Sequence, residues 1–244
     1  MTQQLIVEQD GAILHVTLNR PEQGNGVSDE MANAFVATLD RAAETSEFVV
    51  LRGAGEDFCT GRARDPNGPK PSSEAYLRRA EYDPIFNCYD AIRRCPVPVI
   101  GVIQGRAMGF GAAVAALCDV SFASDAARFN IPELQHSVMP TMVMSALFDR
   151  MNRNAVLWMT YSSDFIDAQR AMAYGLVSTV VPAAKLDEEV AAFCAKLAKA
   201  PQPAIRGLKE YMRIAPTMEA QGATDYARSL HAMVNTASGM KKPH

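Results

Sequence analysis

The sequence is poor in the features that mark metal-binding, disulfide-bonded and membrane proteins. Its five cysteines are scattered over 244 residues without a CxxC pair, so neither a zinc site nor a disulfide framework is predicted. The longest apolar runs, such as VPVIGVI, are far too short to span a bilayer. No basic region followed by an apolar run occurs near residue 1, so we expect no signal peptide. These absences favour a cytoplasmic protein with reduced thiols and no metal.

A broad field of one charge sign is also missing. The net charge is −3, and charged residues make up 21% of the chain against 48% hydrophobic residues. This balance is typical of an ordinary globular protein and argues against nucleic acid or an anionic membrane as a partner. The chain also lacks a GxSxG elbow, an HExxH helix and a P-loop, so three common hydrolytic or phosphoryl-transfer chemistries have no support.

Strand and helix patterns alternate over most of the chain. Two β-branched runs joined at Asp10-Gly11 predict a hairpin. Ser28 then predicts the N-cap of a helix over about 29–44, with one apolar face. The runs FVVLRG and CPVPVIGVIQG predict buried strands, with a helix near 74–94 between them.

The last quarter of the sequence has a different pattern. Strands alternate with helices up to Pro182, and from Leu186 onward the pattern is helical with few strand signals. We therefore predict an α/β core over residues 1–185 and a helical region over residues 186–244.

Two glycine-rich turns that follow buried strands are the main chemical signal. The first begins at Gly53-Ala54-Gly55, and the second is Gly109-Phe110-Gly111, which opens a helix of small apolar residues. Neither completes a dinucleotide fingerprint, because Phe58 and Val114 occupy the third small position. Backbone N–H groups from two turns can converge on one oxygen, and a helix N-terminus adds its dipole. The turns therefore predict an oxyanion hole or, alternatively, glycines that only allow close packing.

Several segments together resemble the crotonase family, the enoyl-CoA hydratases and isomerases. They are TLNRPEQGNGVSDEM, VVLRGAGEDFCTGRA, PVPVIGVIQGRAMGFGAAVAALCDVSFAS, ARFNIPEL and GLVSTVVP. The resemblance implies a spiral of β-β-α units whose C-terminal helices build a homotrimer or homohexamer. It also implies an enzyme that acts on an acyl-CoA thioester, with coenzyme A as part of the substrate and no separate cofactor.

The resemblance implies that the two turns bind the thioester. The carbonyl oxygen would lie between the backbone N–H groups of Arg62 and Phe110, with Gly61, Gly109 and Gly111 shaping the turns that hold the substrate. The side chains at 62 and 110 are bulkier than those usual in the family, which puts the shape of the pocket in question.

The resemblance also points to a carboxylate. Hydratases of the family usually carry two glutamates, and the matching positions here hold Ala113 and Glu133. A single carboxylate moves a proton between two carbons more easily than it adds water, so an isomerase-like reaction is favoured. Partial burial would raise the pKa of Glu133 toward working pH. The alternative is a structural role, because Pro132-Glu133 is a favoured helix opening. His136, three residues on, is either a second proton carrier or a structural histidine.

Other polar residues are weaker candidates. The resemblance implies that the segment from Gln23 to Gly26 and basic residues such as Arg206 and Lys209 contact the adenine and phosphates of coenzyme A, Lys209 from a neighbouring subunit. The alternative is that the two cations are solvated. Arg64 and Asp65 follow the first turn and are either substrate contacts or solvated loop charges.

The segment SVMPTMVMSALF adds an apolar candidate. Its methionines, Met139, Met142 and Met144, would adapt to an acyl chain, with ordinary core packing as the alternative. Thr141 stands where family members often have glycine.

Three further hypotheses stay beside the isomerase-like one. The first is an enoyl-CoA hydratase with a substitute for the second acid. The second is a non-catalytic acyl-CoA-binding protein, motivated by the missing acid and by the bulky residues at 62 and 110. The third, an RNA-binding relative, is disfavoured by the acidic charge balance.

Overall fold

The computed structural model describes residues 3–63 and 70–240 of the chain, which contain nine strands and ten helices. The strands β1 to β9 are Leu5–Asp10, Ile13–Leu18, Phe48–Gly53, Val99–Ile103, Arg106–Met108, Val120–Ser124, Arg128–Asn130, Ile166–Asp167 and Thr179–Val181. The helices α1 to α10 are Asp29–Thr45, Ala75–Ala80, Asp83–Arg94, Phe110–Leu117, Thr141–Leu147, Arg153–Ser162, Ala168–Ala173, Leu186–Leu197, Gln202–Ile214 and Ala220–Asn235. The predicted alternation of strands and helices, followed by helices alone, is confirmed.

The main sheet has the strand order β1-β2-β3-β4-β6-β9. Strands β1 and β2 form an antiparallel hairpin in which Asp10 lies opposite Ile13, so the hairpin predicted at Asp10-Gly11 is confirmed. The remaining neighbours pair in parallel. Parallel neighbours require crossover connections, and the helices that supply them cover the sheet.

Helix α1 begins where the sequence predicts. The Ser28 side chain accepts a hydrogen bond from the Met31 backbone N–H at 3.1 Å, which satisfies one of the free donors at the helix start. Met31, Phe35 and Leu39 are buried along one face, at the spacing of an amphipathic helix.

The single helix predicted near 74–94 is wrong, because the structure has two helices there. The exposed helix α2 ends at Ala80, and α3 restarts at Asp83 with Pro84 in its first turn. Proline lacks the backbone N–H needed inside a helix but is tolerated at a helix start. The break frees α3 to bury Ile85 and Tyr89.

A second, smaller sheet brings two distant parts of the chain together. Strand β4 ends at Ile103, and the chain turns at Gly105 into β5, which belongs to a different sheet with β7 and β8. Strands β5 and β7 are parallel, with Met108 paired to Asn130. Parallel strands end at the same edge of a sheet, so the segments that follow β5 and β7 begin side by side.

The helices after β9 do not share one role. Helix α8 covers one face of the main sheet, because Leu186, Val190 and Cys194 pack on side chains from β3, β4 and β6. In α9 only Ile205 is buried, and α10 has no buried residue. The boundary predicted at residues 185 and 186 stays a prediction. Among the described residues, no helix combines the length and apolar content needed to cross a bilayer.

Candidate active site

A cavity of about 710 Å³ opens where the two glycine-rich turns meet the segment after β7. Its polar and turn residues are Thr60, Gly61, Arg62, Gly109, Phe110, Glu133 and His136. Its walls are Tyr82, Ile85, Phe86, Tyr89, Met108, Pro132, Val138, Met139, Pro140, Thr141, Met142 and Val143. The residues that the resemblance assigns to the oxyanion site and to proton transfer therefore line one cavity, although they come from three separate segments of the chain.

The backbone N–H of Arg62 is oriented by its neighbours. The Gly61 carbonyl accepts a hydrogen bond from the Val27 N–H at 2.9 Å. In a planar trans peptide the C=O and the following N–H point in opposite directions, so the Arg62 N–H points away from Val27. On that opposite side, Cys59 pairs with β5, and β5 leads into the second turn.

The same geometry orients the N–H of Phe110. The Gly109 carbonyl accepts from the Ala113 N–H at 3.0 Å, as the first hydrogen bond of α4. The Phe110 N–H belongs to the same peptide and points the other way, out of the N-terminus of the helix. Such N-terminal donors have no partner within their helix, and the helix dipole favours negative charge beside them.

The two glycines of the second turn serve different purposes. Gly109 has a φ of +50°, which side-chain-bearing residues rarely adopt, and a Cβ there would lie 2.5 Å from Oε1 of Glu133. A Cβ on Gly111 would overlap the carbonyl oxygen of Cys59. Gly111 thus allows the second turn to pack on the first, whereas Gly109 forms the wall against which the Glu133 carboxylate lies.

Glu133 opens a short 3-10 helix directly after β7, which brings its carboxylate to the second turn. Its Oε2 atom is buried and has no hydrogen-bond partner among the described residues. Burial raises the pKa of Glu133, and a hydrogen bond from its own backbone N–H, followed by the proximity of His136, offsets this only in part. The position of the second family glutamate holds Ala113, which is fully buried on α4. In the described part of the chain, Glu133 is the one carboxylate that lines the cavity.

The bulky side chain of Arg62 is held at the edge of the site. Its Nη2 atom donates to Oδ1 of Asp29 at 2.9 Å and to the carbonyl of Glu81 at 3.3 Å. The guanidinium is therefore tied to α1 and to the break before α3, and the cavity remains open beside the Arg62 backbone.

The remaining candidates differ in whether they line the cavity. His136 lines the cavity and is exposed. Gln23 is exposed, accepts a hydrogen bond from Arg20 and does not line the cavity. The predicted contacts at Arg64 and Asp65 fall outside the described residues.

Lys209 also lies away from the cavity. Its Nζ donates to Oδ2 of Asp119 at 2.6 Å and to the carbonyl of Val97 at 2.8 Å. Asp119 additionally accepts a hydrogen bond from the Val99 N–H at 2.7 Å, so its carboxylate is engaged in structural contacts. Contacts of Gln23 and Lys209 with coenzyme A stay predictions.

The apolar wall of the cavity contains two of the three methionines predicted for it. Met139 and Met142 line the cavity together with Val138 and Val143. Met142 and Met144 both pack against the hydrophobic core, and since Met144 does not line the cavity, ordinary packing is the better interpretation for it.

Sequence reasoning missed Tyr89. Its ring stacks on that of Phe110, with centroids 5.5 Å apart and planes 21° from parallel. In the sequence, Ile85, Tyr89 and Ile92 form an ordinary apolar stripe at helical spacing, so no local signal separates Tyr89 from core residues. Only the packing of α3 against α4 reveals its place in the cavity.

The family model described as "Enoyl-CoA hydratase/isomerase" matches residues 8–242 of the chain. The chain belongs to this family. A probable enoyl-CoA hydratase of Rhodobacter capsulatus is 30% identical, with 80% of this chain and 75% of the relative covered. A 2,3-dehydroadipyl-CoA hydratase of Escherichia coli is 29% identical over 95% of this chain and 90% of that protein.

Solved structures agree with this assignment to the enoyl-CoA hydratase/isomerase family. An enoyl-CoA hydratase of Mycobacterium smegmatis superposes with a TM-score of 0.91 at 27% identity, covering 97% of this chain and 92% of that chain. The resemblance to the crotonase family and the predicted α/β fold with a helical C-terminal region are therefore confirmed. The chain is an enzyme of the hydratase/isomerase class.

Proposed function

We propose that this enzyme moves a proton on an acyl-CoA thioester through an enolate. The backbone N–H groups of Arg62 and Phe110 bind the thioester oxygen, and Glu133 transfers the proton. One observation carries the proposal: the Glu133 carboxylate lies against Gly109, in the cavity lined by both turns. An oriented donor of this kind lowers the barrier by roughly 3 kcal/mol when negative charge develops on the oxygen.

The chemistry favoured by a single carboxylate is isomerisation. With a 3-enoyl thioester, Glu133 takes a proton from C2, and the electrons of that bond form a dienolate whose charge rests on the thioester oxygen. Glu133 then returns the proton to C4, and the double bond moves from C3–C4 to C2–C3. The same group gives back the proton that it took, so no second acid is needed.

Hydration is the second candidate. Addition of water requires one group to accept a proton from water and another to deliver a proton to C2. His136 lines the cavity and could supply the second group. The relatives in Rhodobacter capsulatus and Escherichia coli carry hydratase names, which also favours this reaction.

Product analysis in oxygen-labelled water separates these reactions. The enzyme is incubated with 2-enoyl- and 3-enoyl-CoA thioesters, and the products are examined by chromatography and mass spectrometry. A product of unchanged mass but new retention supports isomerisation. A product heavier by one labelled water supports hydration. Binding of both thioesters without turnover would contradict the proposal and favour a non-catalytic acyl-CoA-binding protein.

The role of Glu133 is tested by Glu133→Gln. We expect kcat to fall by at least about 100-fold, because general acid–base groups contribute roughly 10²- to 10⁴-fold. Burial raises the pKa of Glu133, so this base becomes protonated at a higher pH than an ordinary glutamate. As the pH decreases, the wild-type kcat/KM should therefore begin to fall at a correspondingly higher pH. Glu188→Gln, at an exposed glutamate of α8, is the control. Full activity of Glu133→Gln would exclude this role.

A further inference from the structure

A second buried polar group faces the proposed reaction site. Tyr89 lines the same cavity as Glu133, and only 3% of the residue is exposed. Its hydroxyl is buried and has no hydrogen-bond partner among the described residues. The Glu133 Oε2 atom shares this condition. Two polar atoms in one largely apolar cavity thus lack a protein partner, and native proteins rarely leave such atoms unsatisfied.

The position of the tyrosine is fixed by packing. Its helix, α3, lies against α4, and its ring stacks on Phe110, the residue whose N–H is proposed to hold the thioester oxygen. The Glu133 carboxylate lies beside Gly109, the preceding residue of the same turn. The tyrosine ring and the carboxylate therefore pack on adjacent residues of the Gly109-Phe110 turn.

The protonation state of the phenol is also set by its surroundings. Burial, followed by the negative charge of Glu133, raises the pKa of Tyr89 well above its ordinary value. The hydroxyl consequently stays protonated over the working pH range and can donate a hydrogen bond. It is a neutral donor opposite a proton-accepting carboxylate.

We propose that the Tyr89 hydroxyl donates a hydrogen bond to a second oxygen beside the acyl group, distinct from the thioester oxygen and carried by the acyl chain or by water. A plain hydrocarbon chain that filled the cavity would leave this donor buried and unsatisfied. Sites built to hydrogen-bond a substrate discriminate against analogues that lack the bonding atom, for this reason. The inference rests on the proposed function, because it assumes that an acyl thioester occupies the cavity.

The test compares two thioesters of equal chain length by titration calorimetry. Butanoyl-CoA has no second oxygen, and 3-oxobutanoyl-CoA has one on C3. Tyr89→Phe removes only the hydroxyl, and Tyr161→Phe, at a tyrosine of α6 that is 73% exposed and does not line the cavity, is the matched control. The same variants are assayed for incorporation of labelled water into but-2-enoyl-CoA.

We expect Tyr89→Phe to reduce the preference for 3-oxobutanoyl-CoA roughly tenfold and to leave the Kd of butanoyl-CoA unchanged, whereas Tyr161→Phe keeps the wild-type ratio. A different result is that Tyr89→Phe leaves the ratio of the two Kd values unchanged and reduces the incorporation of labelled water at least about tenfold. That result would support water as the source of the oxygen. If Tyr89→Phe changes neither quantity, the proposal is overturned.

Two further observations keep the test decisive. The hydroxyl has no partner to lose, so Tyr89→Phe should unfold at or above the wild-type temperature. If the variant nevertheless fails to fold, a wild-type enzyme that binds both thioesters equally and incorporates no label overturns the proposal. Failure of the proposed function is distinguishable, because wild-type enzyme would then turn over neither 2-enoyl- nor 3-enoyl-CoA, whether or not it binds them.

Discussion

The helices α4 and α10 show how differently two regions of this chain use apolar side chains. Every residue of α4 is buried, and its N-terminus forms part of the candidate site. No residue of α10 is buried, and Met233 on this helix is 65% exposed. The α/β body thus completes its own core, whereas the terminal helices present apolar surface that the body does not cover.

The terminal helices also form a groove of their own. A cavity of about 310 Å³ lies between α9 and α10 and is lined mainly by apolar side chains, including Leu208, Leu230 and Val234. Leu208 itself is 66% exposed. From this contrast we propose that catalysis and assembly belong to separate regions, with α9 and α10 building the expected trimer or hexamer. The predictions below test this separation.

The largest effect is expected for a glycine-to-alanine substitution at the candidate site, compared with the same substitution on α10. Gly109→Ala places a methyl group against the Glu133 carboxylate and strains a backbone with positive φ, so kcat/KM should fall at least about 100-fold. Gly222→Ala on α10 meets only ordinary contact, with Met218 at 3.9 Å, and should retain wild-type activity. Steady-state kinetics on the most active thioester measures both. Equal loss in the two variants would contradict the separation.

The next prediction concerns assembly. Leu208→Asp puts a charge on the exposed apolar face of α9, and we expect the wild-type trimer or hexamer to dissociate into monomers. Light scattering coupled to size-exclusion chromatography measures the mass. Gln221→Asp, at an exposed polar residue of α10, is the matched control and should leave the mass unchanged. A monomeric wild-type protein, or an unaltered mass in Leu208→Asp, would contradict this role for the terminal helices.

The smallest effect is expected at the ion pair that joins the two regions. Lys209→Met removes the partner of Asp119. Because the lysine side chain is only 8% exposed, we expect the free energy of unfolding to fall by about 2 kcal/mol. Thermal unfolding measures this change, with the exposed Lys196→Met as control. If Lys209 instead serves coenzyme A, the Kd of coenzyme A will rise while the unfolding temperature stays constant.

Local interactions account for what the sequence by itself determined. The hairpin at Asp10-Gly11 and the Ser28 cap depend on residues a few positions apart, and each is present where predicted. The two glycine-rich turns were identifiable because backbone shape leaves a signature in residue type, whereas Glu133 was singled out only through the resemblance to the family. The family also followed from such segments, and the matching family model confirms it.

Tertiary structure decided which of these signals meet. The parallel pairing of β5 with β7 brings Gly109 and Glu133 to one sheet edge, although 24 positions separate them in the sequence. The same packing turned Tyr89 from an ordinary apolar-stripe residue into a cavity residue, and the break before Pro84 allowed it. Side-chain periodicity reports which face of a helix is buried, but it does not report what that face is buried against. That information exists only once distant strands and helices have packed together.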